Sequence, residues 1–311
     1  MPQPTPLVLP NDEEAVKLME LCSVGELDQK TMLDARPESD LHPHCWWLLG
    51  ATVAELRERM DKPLPPEGYT SWPTIGSDIG PVGMFLYAWS LLCVVPDLLA
   101  THARRGIPEP VTRASVGGLG DLMTGHYKVT GQRGVGVFPL WGPPQSFCGV
   151  DIQLGRLSFT RAQMAFGDGP VGWALQIHVP PIGPLRATEA NDSLDRATSF
   201  FATHFPEEPV AALVCVSWMM DPQLREYLPE ASNTLEFQRR FNVVPLPPRA
   251  DVWEDDREMM RLALQLPTPD AGPLSEEVLD LVPQRTTLHR AFVQHIRAGR
   301  HWHKPTGILW A

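Results

Sequence analysis

The chain has 311 residues, 43% hydrophobic and 20% charged, with 26 basic against 37 acidic side chains and a formal net charge of −11. That length suits two domains, and the composition is that of a soluble globular protein. The negative balance argues against a general nucleic-acid or anionic-membrane binder, because either partner would repel the chain.

The N-terminal "MPQPTPLVLPNDEE" is proline-rich and has no basic segment ahead of an apolar one, so no secretory signal is expected. Residues 12–24 place Val16, Met19, Leu21 and Val24 near helical spacing behind an acidic first turn, and residues 44–60 read as a second helix. "KPLPPEGYTSWPTIGS" at 62–77 is a loop. The longest apolar run, residues 82–100, nearly spans a bilayer in length but holds Pro96 and Asp97, and reads as a buried third helix continuing to "HARRGIP". A further helical stretch near 108–124 gives a helical first part, 1–130, with almost no strand signal. Cys22, Cys45, Cys93, Cys148 and Cys215 form no CxxC pair, the usage of reduced thiols in a cytoplasmic protein rather than of a disulfide framework or zinc site.

From 131 the texture changes. "GQRGVGV" at 131–137 reads as an interdomain turn, with a phosphate loop as its rival reading. "FCGVDIQLGRLSF" at 147–159 is strand-like with a turn at Gly155, and "GWALQIHVP" at 172–180 alternates Trp173, Leu175, Ile177 and Val179 against Ala174, Gln176 and His178. A helix with the stripe Leu194, Ala197, Phe201 and Phe205 follows, capped by Asn191 or Asp192. "AALVCVSWMM" at 211–220 is the continuous apolar run of a strand buried on both faces. Strand, helix and strand at these lengths imply a crossover and a parallel strand pair. Helical segments near 233–241 and 254–264 follow, then "TTLHRAFVQHIRAG" and "GILWA", the last read as an edge strand. "HPHC" and "HWH" lack carboxylate or cysteine partners at ligand spacing, so no metal is expected, and "HWHKPTG" reads as an exposed turn.

"QIHVPPIGPL", "SLDRATSFFATHFP", "CVSWMMDPQLREYLPEASNTLEFQRRF" and "VPQRTTLHRAFVQHIRAG" resemble a bacterial acyltransferase-like family that joins a helical N-acyltransferase N-terminal domain to a GNAT-like C-terminal domain, GNAT being the N-acetyltransferase superfamily. "LGRLSF" at 154–159 stands in the order that family shows. The resemblance implies an α+β fold: a helical domain over 1–130, then over 131–311 a GNAT-like mixed sheet whose fourth and fifth strands, 172–180 and 211–220, are parallel and splay apart. Acyl-CoA, as cosubstrate, would enter the wedge between them. Its pyrophosphate would meet the loop after the first of these strands, on Ile182, Gly183, Leu185 and Arg186, with Ser193, Asn233 and Arg240 as further cofactor contacts. Pro180, Pro181 and Pro184 interrupt that loop, and prolines have no N–H to offer a phosphate.

The implied activity is acyl transfer from a thioester to an amine or other small nucleophile. Such chemistry needs a base for the amine proton, an oxyanion donor and an acid for the leaving thiolate. His178, at the end of its strand, is the candidate base, and the Val179 N–H the oxyanion donor. Where the family places a tyrosine this chain has Phe237 and Phe241, leaving Tyr227 as the candidate acid. Ser217 near the end of the fifth strand would face His178. Two alternatives stay open: a GNAT-like decarboxylase or hydrolase using a His178/Ser217 pair, and a non-catalytic acyl-CoA-binding module. A structural histidine or a hydroxyl satisfied by backbone would account for His178 or Ser217 equally simply.

Overall fold

The structure is a computed structural model that describes residues 7–68, 72–75, 77–135, 142–165, 169–244, 251–269 and 271–311. Its first part holds α1 (Asp12–Leu21), α2 (Glu26–Asp34), α3 (Pro43–Arg59), α4 (Pro81–Leu92), α5 (Val95–Arg105), α6 (Glu109–Thr130) and α7 (Gly142–Phe147). The start of α1 is fixed by a reciprocal capping box between Asn11 and Glu14. Stretches expected as helices over 12–24, 44–60 and 108–124 appear as α1, α3 and a longer α6.

The apolar run is two helices rather than one. It breaks at Cys93 and Val94, and Pro96 sits in the first turn of α5, where its missing N–H costs nothing. Pro81–Arg105 is apolar and long enough to cross a membrane, yet 72% of its most apolar window is buried inside the protein. Phe85, Leu86, Trp89 and Leu92 form the centre of the helical core with Met19, Leu49, Val116 and Leu119. At Gly120 a Cβ would stand 1.9 Å from the Ser23 carbonyl oxygen, so only glycine lets α6 lie against the α1–α2 turn.

The second part holds β1 (Asp151–Leu154), β2 (Leu157–Ala165), β3 (Val171–His178), α8 (Ala187–His204), β4 (Val210–Val216), α9 (Asn233–Gln238), β5 (Asn242–Val244), α10 (Trp253–Leu262), α11 (Glu276–Asp280), α12 (Thr287–Arg297) and β6 (Thr306–Trp310). The strands form one sheet in the order β1-β2-β3-β4-β6-β5. All neighbours are antiparallel except β3 and β4, which are parallel and connected through α8. The expected parallel crossover is therefore present. "GILWA", expected at an edge, instead lies inside the sheet, because β5 pairs along its outer side. The expected strand 211–220 ends at Val216, and Trp218–Met220 turn into a short 3-10 helix.

Alternation sends Phe159, Leu175, Ile177, Leu213 and Cys215 to the face that packs on Leu194, Ala197 and Phe201 of α8. Thr160, Gln176 and His178 lie on the other face. A third core gathers the C-terminal helices around the fully buried Trp302, which stacks on His295 at a centroid separation of 4.1 Å. "HWHKPTG" is thus no exposed turn: Trp302 is 0% exposed and His301 Nδ1 lies 2.7 Å from Asp256. The reading of 131–137 as an interdomain turn falls partly outside the described residues, which stop at Val135.

Helices and sheet are tied by buried charge. Arg161 on β2 donates to Glu208 (2.9 Å), to Asp61 (3.1 Å) and to the Asp61 and Gly149 carbonyls, while Arg105 of α5 also pairs with Asp61 (2.8 Å). Asp61 sits at φ 64, a left-handed conformation that aspartate tolerates better than most residues.

Candidate active site

β3 and β4 part company at one end. Their ladder stops at Gln176 opposite Val214, although β3 runs on to His178 and β4 to Val216. Each stays paired with its outer neighbour to the end, Ser158 opposite His178 and Val216 opposite Thr306. Parallel strands that remain paired outward while separating inward leave a wedge, and His178 and Val216 stand at its mouth. Backbone groups facing into such a gap lack ladder partners and are available to a ligand.

His178 is half-buried, and its Nε2 lies 3.0 Å from the Thr160 hydroxyl, its diagonal neighbour on β2. Thr160 Oγ1 donates to Asp151 Oδ1 at 3.0 Å, and Asp151 Oδ2 accepts from Ser146 of α7 at 3.1 Å. With the threonine proton committed to the carboxylate, the hydroxyl offers His178 a lone pair. The neutral imidazole then carries its proton on Nε2 and has Nδ1 as its basic atom. Burial pulls the His178 pKa below the ordinary histidine range, opposed by the charge of Asp151. Such a ring is a neutral acceptor near neutral pH.

Ser217 lies just past the end of β4. Its hydroxyl accepts from the Met219 N–H at 3.2 Å and caps the 3-10 turn, and the described contacts bring it to that backbone rather than to His178. Tyr227 belongs to the C-terminal core: its hydroxyl is 2.9 Å from His295 Nδ1 and its ring packs against Trp302. Phe237 and Phe241 are buried in the core under the sheet.

The loop after β3 carries Val179, Ile182, Gly183, Leu185 and Arg186, with Ile182 48% exposed and Gly183 at φ 129. α8 begins at Ala187 with Arg186 at the cap position and no side chain capping it. Asn191 and Asp192, expected as caps, lie in the second turn. The chain is extended at Arg186, with φ −69 and ψ 135, and turns helical directly after it. The first-turn N–H groups of α8 are consequently not taken by a side-chain cap. Arg186 pairs with Glu189 at 2.9 Å, and Arg240 of the α9–β5 turn reaches Asn191 and Asp195 on α8. Ser193 accepts the Arg156 N–H at 2.9 Å and donates to the Glu189 carbonyl. Ser232 caps α9, and Asn233 is the first residue of that helix.

Three residues with a part in this geometry escape the sequence reading: Asp151, Thr160 and Arg156. Arg156 lies in the β1–β2 turn beneath the loop, within "LGRLSF". Among the described residues no group of three or more histidines, cysteines or carboxylates is arranged to hold a metal.

Residues 13–148 match the N-acyltransferase N-terminal domain and residues 152–309 the GNAT-like C-terminal domain. No protein with a curated description matches the chain. Among solved structures, an acyltransferase in complex with CoA and 10C-teicoplanin is 32% identical, with a TM-score of 0.85 over 99% of this chain and 91% of that one. The same identity, coverage and TM-score hold for an acyltransferase in complex with decanoyl-CoA and teicoplanin. An acyltransferase mutant in complex with octanoyl-CoA is also 32% identical over the same shares, with a TM-score of 0.87. Acyl-CoA is the cosubstrate, and the wedge is where the sequence resemblance puts it. The chain belongs to the acyltransferases that join an N-acyltransferase N-terminal domain to a GNAT-like C-terminal domain.

Proposed function

We propose that the protein moves a medium-length acyl chain from acyl-CoA to an amine of a bulky small molecule, a glycopeptide of the teicoplanin kind. The whole-chain likeness to acyltransferases holding decanoyl-CoA, octanoyl-CoA and teicoplanin supports donor and acceptor class. The observation that carries the chemistry is His178 at the mouth of the wedge, anchored through Nε2 to Thr160.

In this reading Nδ1 of His178 takes the proton of the attacking amine as nitrogen bonds to the thioester carbon. The Val179 N–H meets the oxyanion, the C–S bond breaks, and the imidazolium returns the proton to the CoA thiolate. A histidine that both takes and returns the proton needs no tyrosine on α9 or the turn after it, which accounts for Phe237 and Phe241 there. The hydrolase and decarboxylase readings rest on a His178/Ser217 pair, and the Ser217 hydroxyl is engaged with the Met219 N–H.

Incubation with decanoyl-CoA and an amine-bearing glycopeptide, followed by mass spectrometry, tests the assignment. One decanoyl group on the acceptor nitrogen, with CoA released in equal amount, is the expected result. CoA released at the same rate without acceptor would make the protein a thioesterase instead.

A further inference from the structure

We propose that Arg156 is the positioning residue of the cofactor's phosphate end, taking the place of the glycines that the loop after β3 lacks. The inference rests on reading residues 179–186 as the segment that meets the CoA pyrophosphate. Arg156 is only 9% exposed, and its guanidinium spends its bonds on that segment alone: Nη1 donates to the Pro180 carbonyl (2.8 Å), Nη2 to Gly183 (2.8 Å) and Nε to Pro184 (3.1 Å). Its backbone N–H is held by Ser193 on α8, so the β1–β2 turn, the loop and the helix start are locked together.

The consequence is an asymmetry of the loop. Its carbonyls at 180, 183 and 184 turn inward onto the guanidinium, while among the described residues no group accepts the N–H of Ile182, Gly183, Leu185 or Arg186. Two of the prolines that interrupt the loop, Pro180 and Pro184, serve it through their carbonyls, a role for which a missing N–H is no handicap. Amides without an acceptor, continuing into a helix start that no side chain caps, suit an anion.

Charge points the same way. Among the described residues Arg156 has no carboxylate within ion-pair distance, whereas Arg186 and Arg240 are each paired with an acid of α8. In a chain of net charge −11 this leaves a buried cation behind the one loop that has to face a pyrophosphate. A planar fork that satisfies carbonyls at three points fixes a backbone in a way that a lysine cannot.

The test compares kcat/KM for decanoyl-CoA with that for decanoyl-pantetheine, which keeps the reacting atoms and lacks the pyrophosphate, in the full-length enzyme and in Arg156→Gln and Arg156→Lys. The wild type is expected to prefer the CoA thioester. Arg156→Gln should lower kcat/KM for decanoyl-CoA by roughly 10- to 100-fold, the scale of losing hydrogen bonds to a charged group, and leave decanoyl-pantetheine within about three-fold. Arg156→Lys, which keeps the charge and loses the fork, should move the ratio in the same direction and supplies the reading if the glutamine variant does not fold. A CoA-to-pantetheine ratio unchanged in the variants, including equal losses on both thioesters, would overturn the role of Arg156. A wild type with no preference between the two would overturn the loop reading itself.

Discussion

Thr160 and His178 are diagonal neighbours on β2 and β3, and the 3.0 Å contact between the hydroxyl and Nε2 fixes which imidazole nitrogen can act as the base. Asp151 completes the arrangement by holding the threonine proton. Thr160→Val removes the anchor without changing side-chain volume much. It is expected to lower kcat by about 10-fold or more while leaving KM for acyl-CoA in place, and Thr160→Ser should restore most of the rate. A fall in Tm matched by equal losses in both parameters would indicate packing alone.

The same network sets the pH dependence. His178 acts as a base only when neutral, and burial holds its pKa below the ordinary histidine value of about 6.5. The acid limb of kcat/KM should therefore lie below that value, with activity lost as pH falls through it. Asp151 favours the protonated ring, so Asp151→Asn should move the limb to still lower pH. A limb that moves up in this variant would contradict the arrangement.

Stability should respond to acid through a different histidine. His102 is 2% exposed, contacts Thr112 through Nδ1 and has its pKa pushed down to about 4. Its neutral form is favoured in the fold, so its contribution is complete above the unfolded value of about 6.5 and is lost as pH falls from there toward 4. Over that window unfolding experiments should register a loss of about 3 kcal/mol that His102→Gln largely removes.

Arg161 and Glu208 are 1% and 6% exposed in their side chains, and their pairing joins β2 to the segment after α8. Glu208→Ala leaves a buried guanidinium short of its closer carboxylate. Denaturant unfolding should show a loss of roughly 3–5 kcal/mol, most of it recovered when Arg161→Met is added.

Much of the fold is legible locally. Alternation over 172–180, the stripe Leu194, Ala197, Phe201 and Phe205, and the apolar run from Ala211 are short-range signals, and the β3–α8–β4 unit follows from them. Helix ends are less legible. Asn191 and Asp192 look like caps because they are cap-forming residue types, but the helix begins at Ala187 behind an extended Arg186, with no side chain capping it. α2 escapes notice because it is short and weakly two-faced, with Leu27 left 64% exposed.

The site divides in the same manner. His178 is visible because it ends a strand beside a crossover loop. Its partner Thr160 is visible only once β2 and β3 are in register, and Asp151 only once β1 joins them. Arg156 stood within a segment marked by resemblance, but its three carbonyl contacts lie 24 to 28 residues away along the chain. Ser217 stands out by its place near a strand end and Tyr227 as the substitute for the tyrosine that the resemblance implies, while their contacts are set by a turn and by a separate core that no local pattern announces.

The proposed mechanism makes His178 the base of an acyl transfer from acyl-CoA. Its most direct test is the single-turnover rate of decanoyl transfer to an amine-bearing glycopeptide by His178→Ala, with the Kd for decanoyl-CoA measured alongside. The rate is expected to fall by roughly 100- to 10,000-fold with Kd within about three-fold of wild type. A rate that stays within about three-fold of wild type would rule out His178 as the base.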